Sequence, residues 1–268
     1  LRGVRIDDGH LRIGAAETIS HVASNPEVLN RFPALADAAG HIAGPQLRNS
    51  GTIGGNLCLD TRCTYYNQTA FWREALGYCL KKDGDVCHVI RVGKKCVAAH
   101  SADTPPVLMT LDAVATLVGP DGQRSVPVRD FFVADGIVNS RRAPDEIVTE
   151  LRIPLASAER KQAYAKLRVR KSIDFPLLTV AIAADLDGDG TVRSIEGVVT
   201  ALGSRPHVLT GWGDVAVGRR LDDQVVDELA ERAHKQCHPL ENMIVDHEWR
   251  RAMVPVYVRR ALEKLGAA

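Results

Sequence analysis

Four of the six cysteines lie close together in the sequence and could ligate a metal centre. They fall within 34 residues, with 15, 7 and 8 residues between successive members: Cys63, Cys79, Cys87 and Cys96. These spacings match neither the paired CxxC of zinc ribbons nor the compact runs of small ferredoxins. Four thiolates can hold either Zn²⁺ or a [4Fe–4S] cluster, and the spacing does not choose between them. Disulfide pairing within the group is a third interpretation.

The remaining cysteines and a neighbouring histidine are given lesser roles. Cys58 directly follows a glycine-rich run and Cys237 falls in a C-terminal amphipathic segment. Both are expected to be free thiols that act as small hydrophobic side chains. His88 could replace a cysteine as ligand, although a supporting or solvent-facing position is the expected one.

The glycine-rich run Gly51–Asn56 stands immediately before the cysteines. Its three glycines allow a backbone to approach a ligand closely and to aim successive N–H groups at negative charge, while Thr52 and Asn56 add side-chain donors. This composition suits a pyrophosphate. It is neither the GxGxxG dinucleotide fingerprint nor a phosphate-binding loop with its lysine, and a purely structural turn is the alternative.

Residues 185–196 match the calcium-loop pattern of an EF-hand, with Gly190 at the sharp turn and Glu196 at the last ligand position. That motif requires a helix on each side. Here the flanking residues have the pattern of β-strands, and Arg193 occupies the ninth position. We therefore predict a β-hairpin whose tight turn uses the two Asp-Gly pairs.

Composition limits the classes of function. The chain has 268 residues, 45% of them hydrophobic and 25% charged, with 34 basic and 33 acidic residues and a net charge of +1. No basic footprint for nucleic acid is present. The longest apolar stretch, 175–186, is far shorter than the roughly 20 residues of a membrane span, so no membrane insertion is expected. Few, clustered cysteines favour a reducing, cytoplasmic location.

The periodicity predicts an α+β protein in two parts. Expected strands cover 11–14, 113–118, 124–128, 146–153, 162–170, 177–186 and 192–202, and expected helices include 224–237 and 248–265. The cysteine segment 58–100 has little periodicity and is interpreted as a long insertion that a metal centre would order. We place the domains at 1–157 and 158–268.

Several stretches resemble the flavin-binding subunits of the xanthine dehydrogenase family of molybdenum enzymes. The glycine run within Ala43–Leu57 is shared by the wider family, and similarity continues through 109–113, 164–170 and 174–176. The cysteine-rich stretches 58–68, 77–80 and 87–90 narrow the resemblance to the branch formed by the β subunits of 4-hydroxybenzoyl-CoA reductases, which carry an extra [4Fe–4S] cluster.

The resemblance assigns roles to individual residues. The four clustered cysteines look like the cluster ligands. A second set looks like the contacts to FAD: the loop residues Thr52, Ile53, Gly54, Gly55 and Asn56, with Asp103 near the ribityl chain and Lys166 and Asp174 near the isoalloxazine ring. The resemblance also implies a PCMH-type FAD-binding domain with the iron–sulfur insertion, followed by a CO-dehydrogenase-flavoprotein-like domain with a three-stranded antiparallel sheet and helices.

The implied function is electron transfer within an oxidoreductase. Electrons from a low-potential donor such as ferredoxin would reach the [4Fe–4S] cluster, then FAD, then [2Fe–2S] clusters on a small subunit and molybdopterin on a large subunit, in a dimer of heterotrimers. There 4-hydroxybenzoyl-CoA would be dehydroxylated to benzoyl-CoA. No residue of this chain is expected to be catalytic or to touch that substrate.

One departure from the family leaves alternatives open. The family begins with a small lobe bearing a second glycine-rich loop, and Leu1 corresponds to a point just after it. Either the sequence is a fragment or half of the flavin site is lost. The alternatives are a molybdenum hydroxylase acting on another aromatic or N-heterocyclic substrate, and a metal-stabilised scaffold without a working flavin site.

Overall fold

The computed structural model describes residues 1–267 and shows a mixed α/β protein with two antiparallel sheets. The first sheet has five strands, β1 (Val4–Asp7), β2 (His10–Gly14), β3 (Val114–Gly119), β4 (Gly122–Pro127) and β5 (Ile147–Pro154), in the spatial order β1-β2-β5-β3-β4. The second has four strands, which follow one another in sequence order. Across residues 1–267, no helix is both long and apolar enough to cross a membrane. The predicted α+β content is therefore confirmed at the level of mixed helices and antiparallel strands.

One strand of the first sheet, β2, alternates between buried and half-exposed side chains. Leu11 and Ile13 are fully buried while His10 and Arg12 are half-exposed, as expected for a strand covered on one face. β3 and β4 form a hairpin, and β5 pairs with both β2 and β3.

Seven short helices lie between β2 and β3, and one more follows β4. The first two begin at sequence-encoded caps: the side chains of Thr18 and Asn25 each accept a hydrogen bond from the first turn that follows. The helices are α1 (Ile19–Ser24), α2 (Pro26–Arg31), α3 (Pro33–Gly40), α4 (Pro45–Ser50), α5 (Ile53–Leu57), α6 (Ala70–Ala75), α7 (Thr104–Thr110) and α8 (Val128–Phe131).

The second sheet separates two hydrophobic cores. Its strands are β6 (Lys161–Leu167), β7 (Leu178–Leu186), β8 (Val192–Thr200) and β9 (His207–Leu209), followed by α9 (Trp212–Ala216), α10 (Asp223–Gln236) and α11 (His247–Ala267). Along β7, Ala181 packs into the core of the first sheet, whereas Val180 and Ile182 pack into the core formed with α10 and α11. Both faces are covered, which explains why β7 is apolar almost throughout.

The prediction of a three-stranded sheet in the C-terminal domain is wrong, because the second sheet has four strands. A fourth strand, β9, pairs with β8 through Val208 and its two neighbours. Three residues are too short to show the period of two from which strands are predicted.

The predicted hairpin is confirmed at the sequence that imitates a calcium loop. β7 and β8 pair antiparallel, and Gly190 adopts a positive φ of 85° in the turn between them. Glu196, the last position of the calcium pattern, forms an ion pair with Arg129. The carboxylate of Glu196 therefore binds the guanidinium group of Arg129 instead of the turn.

The two ends of the cysteine segment are held together by a short backbone bridge. Arg62 and Ala99 form an isolated antiparallel bridge, with both N–H···O distances at or below 2.8 Å. Between them lie turns and the six-residue helix α6. The expectation of a long, locally organised insertion matches this arrangement.

Candidate functional site

A cavity of about 430 Å³ opens beside the glycine-rich run, a size typical of small-molecule sites. Five of the eight residues assigned to FAD line it: Thr52, Gly55, Asn56, Asp103 and Asp174. Apolar side chains from α1, the α3–α4 connection, α4 and the 173–175 turn complete the wall: Ile19, Ile42, Leu47, Ile173 and Phe175. This mixture of apolar wall and few polar groups suits a planar aromatic ligand.

The backbone of the glycine run is used within the protein rather than displayed to a ligand. The N–H groups of Ile53 and Gly54 donate to the carbonyls of Glu17 and Ala15, each at 2.9 Å. Both residues are buried. The expected cradle of successive N–H groups is therefore not what the loop presents, because two of those groups attach α5 to the end of β2.

The two adjacent glycines of the run are required for different reasons. A Cβ atom on Gly54 would lie 2.8 Å from both Cβ and the carbonyl oxygen of Ala15, so Gly54 is needed for close packing. A Cβ atom on Gly55 would meet only the hydroxyl of Thr52, at 3.0 Å. That hydroxyl accepts the Gly55 N–H as the cap of α5. Gly55 therefore keeps the cavity wall open at this point.

Asn56 is oriented by a neighbouring helix. Its side-chain oxygen accepts hydrogen bonds from the N–H and the hydroxyl of Thr104, at 3.1 and 2.7 Å. Because these partners are donors, the amide oxygen faces them. The NH₂ group of Asn56 is then the donor that remains for a ligand in the cavity.

Asp103 lies in a buried polar triad. One carboxylate oxygen accepts from the hydroxyl of Tyr164 at 2.6 Å and from Nζ of Lys166 at 2.9 Å. Burial raises the pKa of Asp103, opposed by Lys166, and burial likewise lowers the pKa of Lys166. Lys166 does not line the cavity itself. Its side chain is 1% exposed and also donates to the carbonyl of His41, so it acts by holding Asp103.

Asp174 also lines the cavity. Its carboxylate accepts hydrogen bonds from the side chain and the N–H of Arg170, and these bonds lower its pKa. Phe175, the next residue, also lines the cavity. The guanidinium carbon of Arg62 lies 3.8 Å from the centre of the Phe175 ring, within cation–π range. Since Arg62 precedes Cys63, this stack joins the cavity to the cysteine segment.

The four clustered cysteines surround a second, small cavity. Cys63, Cys79, Cys87 and Cys96 all line it, with Tyr65, Tyr66, Lys81 and His88 among their neighbours. All six cysteines of the chain are free, so the disulfide interpretation gains no support. Among residues 1–267, no three His, Cys, Asp or Glu side chains lie close enough together to hold a single metal ion. The four thiols thus border a common space without meeting at one point.

The thiols influence one another electrostatically. Burial raises the pKa of Cys63, and the nearby Cys96 and Cys87 raise it further. Burial also raises the pKa of Cys96, with Lys81 acting in the opposite direction. A bound metal centre has to displace these protons, because thiolates are the ligating form.

The two unassigned cysteines and His88 take the places expected for them. Cys58 is half-buried and Cys237 is buried against the helices of the second core. Burial raises the pKa of Cys237 to about 12, which makes it an inert thiol. His88 Nε2 bonds to the carbonyl of Tyr78 and its ring packs on Tyr65, so that nitrogen is occupied within the protein.

Two residues outside the motif hold the cysteine segment in place. Asn242, fully buried, accepts the N–H of Thr64 at its carbonyl and donates its side-chain NH₂ to the carbonyl of Val97 at 2.7 Å. Asn242 therefore links Thr64, which follows Cys63, to Val97, which follows Cys96. Gly136 donates its N–H to the carbonyl of Cys96, and a Cβ atom there would lie 2.6 Å from the Cys96 sulfur.

Sequence reasoning missed several of these supporting residues. Tyr164 had a usable signal, because it lies two residues before Lys166 on β6, and residues two apart on a strand share the same face. Asn242, Gly136 and Lys81 had none, since each is an ordinary residue of a loop or turn. Their roles depend on tertiary contacts.

Comparisons with known proteins agree with this arrangement. Residues 1–156 match the family described as FAD binding domain in molybdopterin dehydrogenase, and residues 162–265 match the CO dehydrogenase flavoprotein C-terminal domain. The chain belongs to this family of FAD-binding subunits of molybdopterin dehydrogenases.

Individual relatives are similar over most of the chain. The carbon monoxide dehydrogenase medium chain of Hydrogenophaga pseudoflava is 28% identical over 98% of this chain and 77% of its own length. The FAD-binding subunit of an aldehyde oxidoreductase from Escherichia coli (strain K12) is 32% identical over 85% and 72%. A solved structure of the Hydrogenophaga pseudoflava carbon monoxide dehydrogenase superposes with a TM-score of 0.78 at 27% identity, covering 99% of this chain and 78% of that one.

Proposed function

We propose that this chain is the FAD- and [4Fe–4S]-binding electron-transfer subunit of a molybdenum-containing 4-hydroxybenzoyl-CoA reductase. Its partners would be a molybdopterin-binding large subunit and a [2Fe–2S] small subunit, with a low-potential donor such as ferredoxin. The reductive dehydroxylation of 4-hydroxybenzoyl-CoA to benzoyl-CoA would take place on the large subunit. Family membership supports the flavin role; the cysteine segment supports the narrower assignment.

The observation that carries the proposal is the convergence of four thiols on one cavity. They come from turns spread over 34 residues, yet all four line the same space. Among residues 1–267 no three potential ligands lie close enough together to hold a single ion, and the space between the four thiols is the place that a polynuclear cluster would occupy. Cysteine thiolates are the usual ligands of a [4Fe–4S] cluster.

The flavin cavity offers complementary groups. Thr52, Asn56 and Asp103 place polar side chains along a wall that is otherwise apolar. When bound, FAD and the cluster supply the capacity to store and pass on electrons. The residues of this chain bind these groups, exclude water from them and fix their separation, with Arg62 and Phe175 packed between the two cavities.

The proposal is tested by spectroscopy and iron analysis of the anaerobically purified chain. We expect flavin absorbance together with a broad iron–sulfur shoulder, and iron close to four atoms per chain, as one [4Fe–4S] cluster contains. Cys79→Ser and Cys87→Ser should each lose the cluster and make residues 58–100 sensitive to proteolysis, whereas Cys58→Ser should keep both. Full iron in the first two variants, or a colourless zinc protein, would refute the cluster.

A second candidate keeps the enzyme class and changes the substrate. The similarity to subunits of carbon monoxide dehydrogenase and aldehyde oxidoreductase fits the flavin half of the molecule and leaves the substrate of the partner subunit open. Turnover assays of the assembled complex with 4-hydroxybenzoyl-CoA and with N-heterocyclic compounds separate the two. Activity on only the latter would favour this candidate.

A further inference from the structure

Lys81 places a buried positive charge in the wall of the four-cysteine cavity. Its side chain is only 5% exposed, and it is one of the residues that line the cavity. Nζ donates to the carboxylate of Asp60 and the hydroxyl of Thr61, both at 2.7 Å, and to the carbonyl of Gly136 at 2.5 Å. The three donors of the ammonium group therefore have three acceptors.

The same contacts fix the position of this charge. The Thr61 hydroxyl, which accepts from Lys81, donates to the carbonyl of Gly136 at 2.6 Å. Gly136 in turn bonds to the backbone of Cys96 and lies against its sulfur. Lys81 also lies 5.0 Å from the centre of the Tyr66 ring, which lines the cavity as well. A charge held so firmly near the thiols acts on them at low local dielectric.

We propose that Lys81 is a positioning residue that raises the reduction potential of the four-cysteine centre, with Asp60 opposing it. This inference rests on the proposed [4Fe–4S] cluster. One-electron reduction makes the cluster one unit more negative, and no bond forms or breaks. A nearby ammonium group stabilises the more negative form, so its presence raises the potential, and a nearby carboxylate lowers it.

The chain supplies a matched control in the adjacent lysine. Lys82 has a side chain that is 49% exposed and pairs with Asp83 on the surface, where solvent and salt screen its charge. It does not line the cavity. The two lysines are adjacent in the sequence, but only Lys81 is buried and lines the cavity.

The test is an anaerobic redox titration of the full chain with dithionite, followed by electron paramagnetic resonance. Lys81→Met should lower the midpoint potential by about 59 mV or more, which for one electron is a tenfold change in the equilibrium constant. Asp60→Asn, which keeps an acceptor for Nζ, should raise the potential by less, because Asp60 is 59% exposed. Lys82→Met should leave it unchanged.

The outcomes separate this inference from the proposed function. A wild-type chain without an iron–sulfur signal refutes the proposed cluster itself. A normal wild-type signal with equal potentials in Lys81→Met and Lys82→Met overturns the role of Lys81. If Lys81→Met loses its iron, Asp60→Asn decides: a raised potential supports electrostatic control of the centre by the Lys81–Asp60 pair, and an unchanged or lowered one overturns it.

Discussion

The flavin cavity and the four-cysteine cavity are neighbours built on different principles. The first is lined by α1, α4 and α5 and by loops anchored to the core of the first sheet. The second lies in a segment whose own buried cluster contains only three residues, two of them cysteines. Regular elements support the first cavity whether or not a ligand is bound. The second depends on a few long-range hydrogen bonds, such as those of Asn242 and Gly136.

The largest effect is expected from a substitution that disturbs only the four-cysteine cavity, which tests whether the two cavities are independent. Gly136→Ala would place a Cβ atom 2.6 Å from the Cys96 sulfur and 2.9 Å from the N–H nitrogen of Ala98. We expect most of the iron to be lost while FAD content is retained. Iron and flavin analysis checks this.

Gly203→Ala is the control, because a Cβ atom there meets nothing within 4 Å. Loss of flavin together with iron in Gly136→Ala would show that the two cavities are not independent.

The support of the flavin cavity should respond to overpacking under its glycine run. In Gly54→Ala the new methyl group would press on Ala15 at 2.8 Å, forcing α5 away from β2. We expect the free energy of unfolding to fall by about 2–3 kcal/mol, as measured by chemical denaturation. Gly40→Ala, with open space around it, should change stability little, and an equal loss in both variants would contradict the packing argument.

His100 marks the point where the cysteine segment re-enters the core, and it gives a pH-dependent prediction. It is fully buried, both ring nitrogens lack a hydrogen-bond partner in the part of the chain that is described, and burial lowers its pKa to about 3. Between pH 6.5 and about pH 3, the imidazole of His100 is protonated in the unfolded chain but stays neutral in the folded chain. Stability is therefore unaffected by His100 above pH 6.5 and falls as the pH drops towards 3.

Between pH 7 and pH 5, this histidine should remove about 2 kcal/mol of stability. His100→Leu should lose that part of the pH dependence, whereas the exposed His238→Gln should retain it. Denaturation curves at the two pH values provide the measurement. The same loss of stability in His100→Leu would show that other groups are responsible.

The smallest expected effect is at the cavity face of the glycine run. Gly55→Ala adds a methyl group whose one close contact is the Thr52 hydroxyl at 3.0 Å. We expect FAD to bind about tenfold more weakly, or about 1.4 kcal/mol, with the free energy of unfolding nearly unchanged. Isothermal titration checks affinity. A large loss of stability would mean that Gly54 and Gly55 share one structural role.

The elements with clear periodicity were predictable from sequence, and the supports of the sites were not. The β7–β8 hairpin and the helices α10 and α11 follow from apolar spacing and turn residues. The glycine run lies beside a cavity, yet the N–H groups of Ile53 and Gly54 bond to the carbonyls of Glu17 and Ala15, which only the folded chain brings near. Local patterns carry no information about such distant partners.

Asn242 has a consequence for how the protein is made. It lies 145 residues beyond Val97, the backbone group it holds. At ribosomal rates of roughly 5–20 residues per second, this partner emerges roughly 7–30 seconds after Val97. During that interval the four thiols lack their final framework and are open to oxidants and to competing metals. The framework around the four thiols is therefore completed only after α10 has been synthesised.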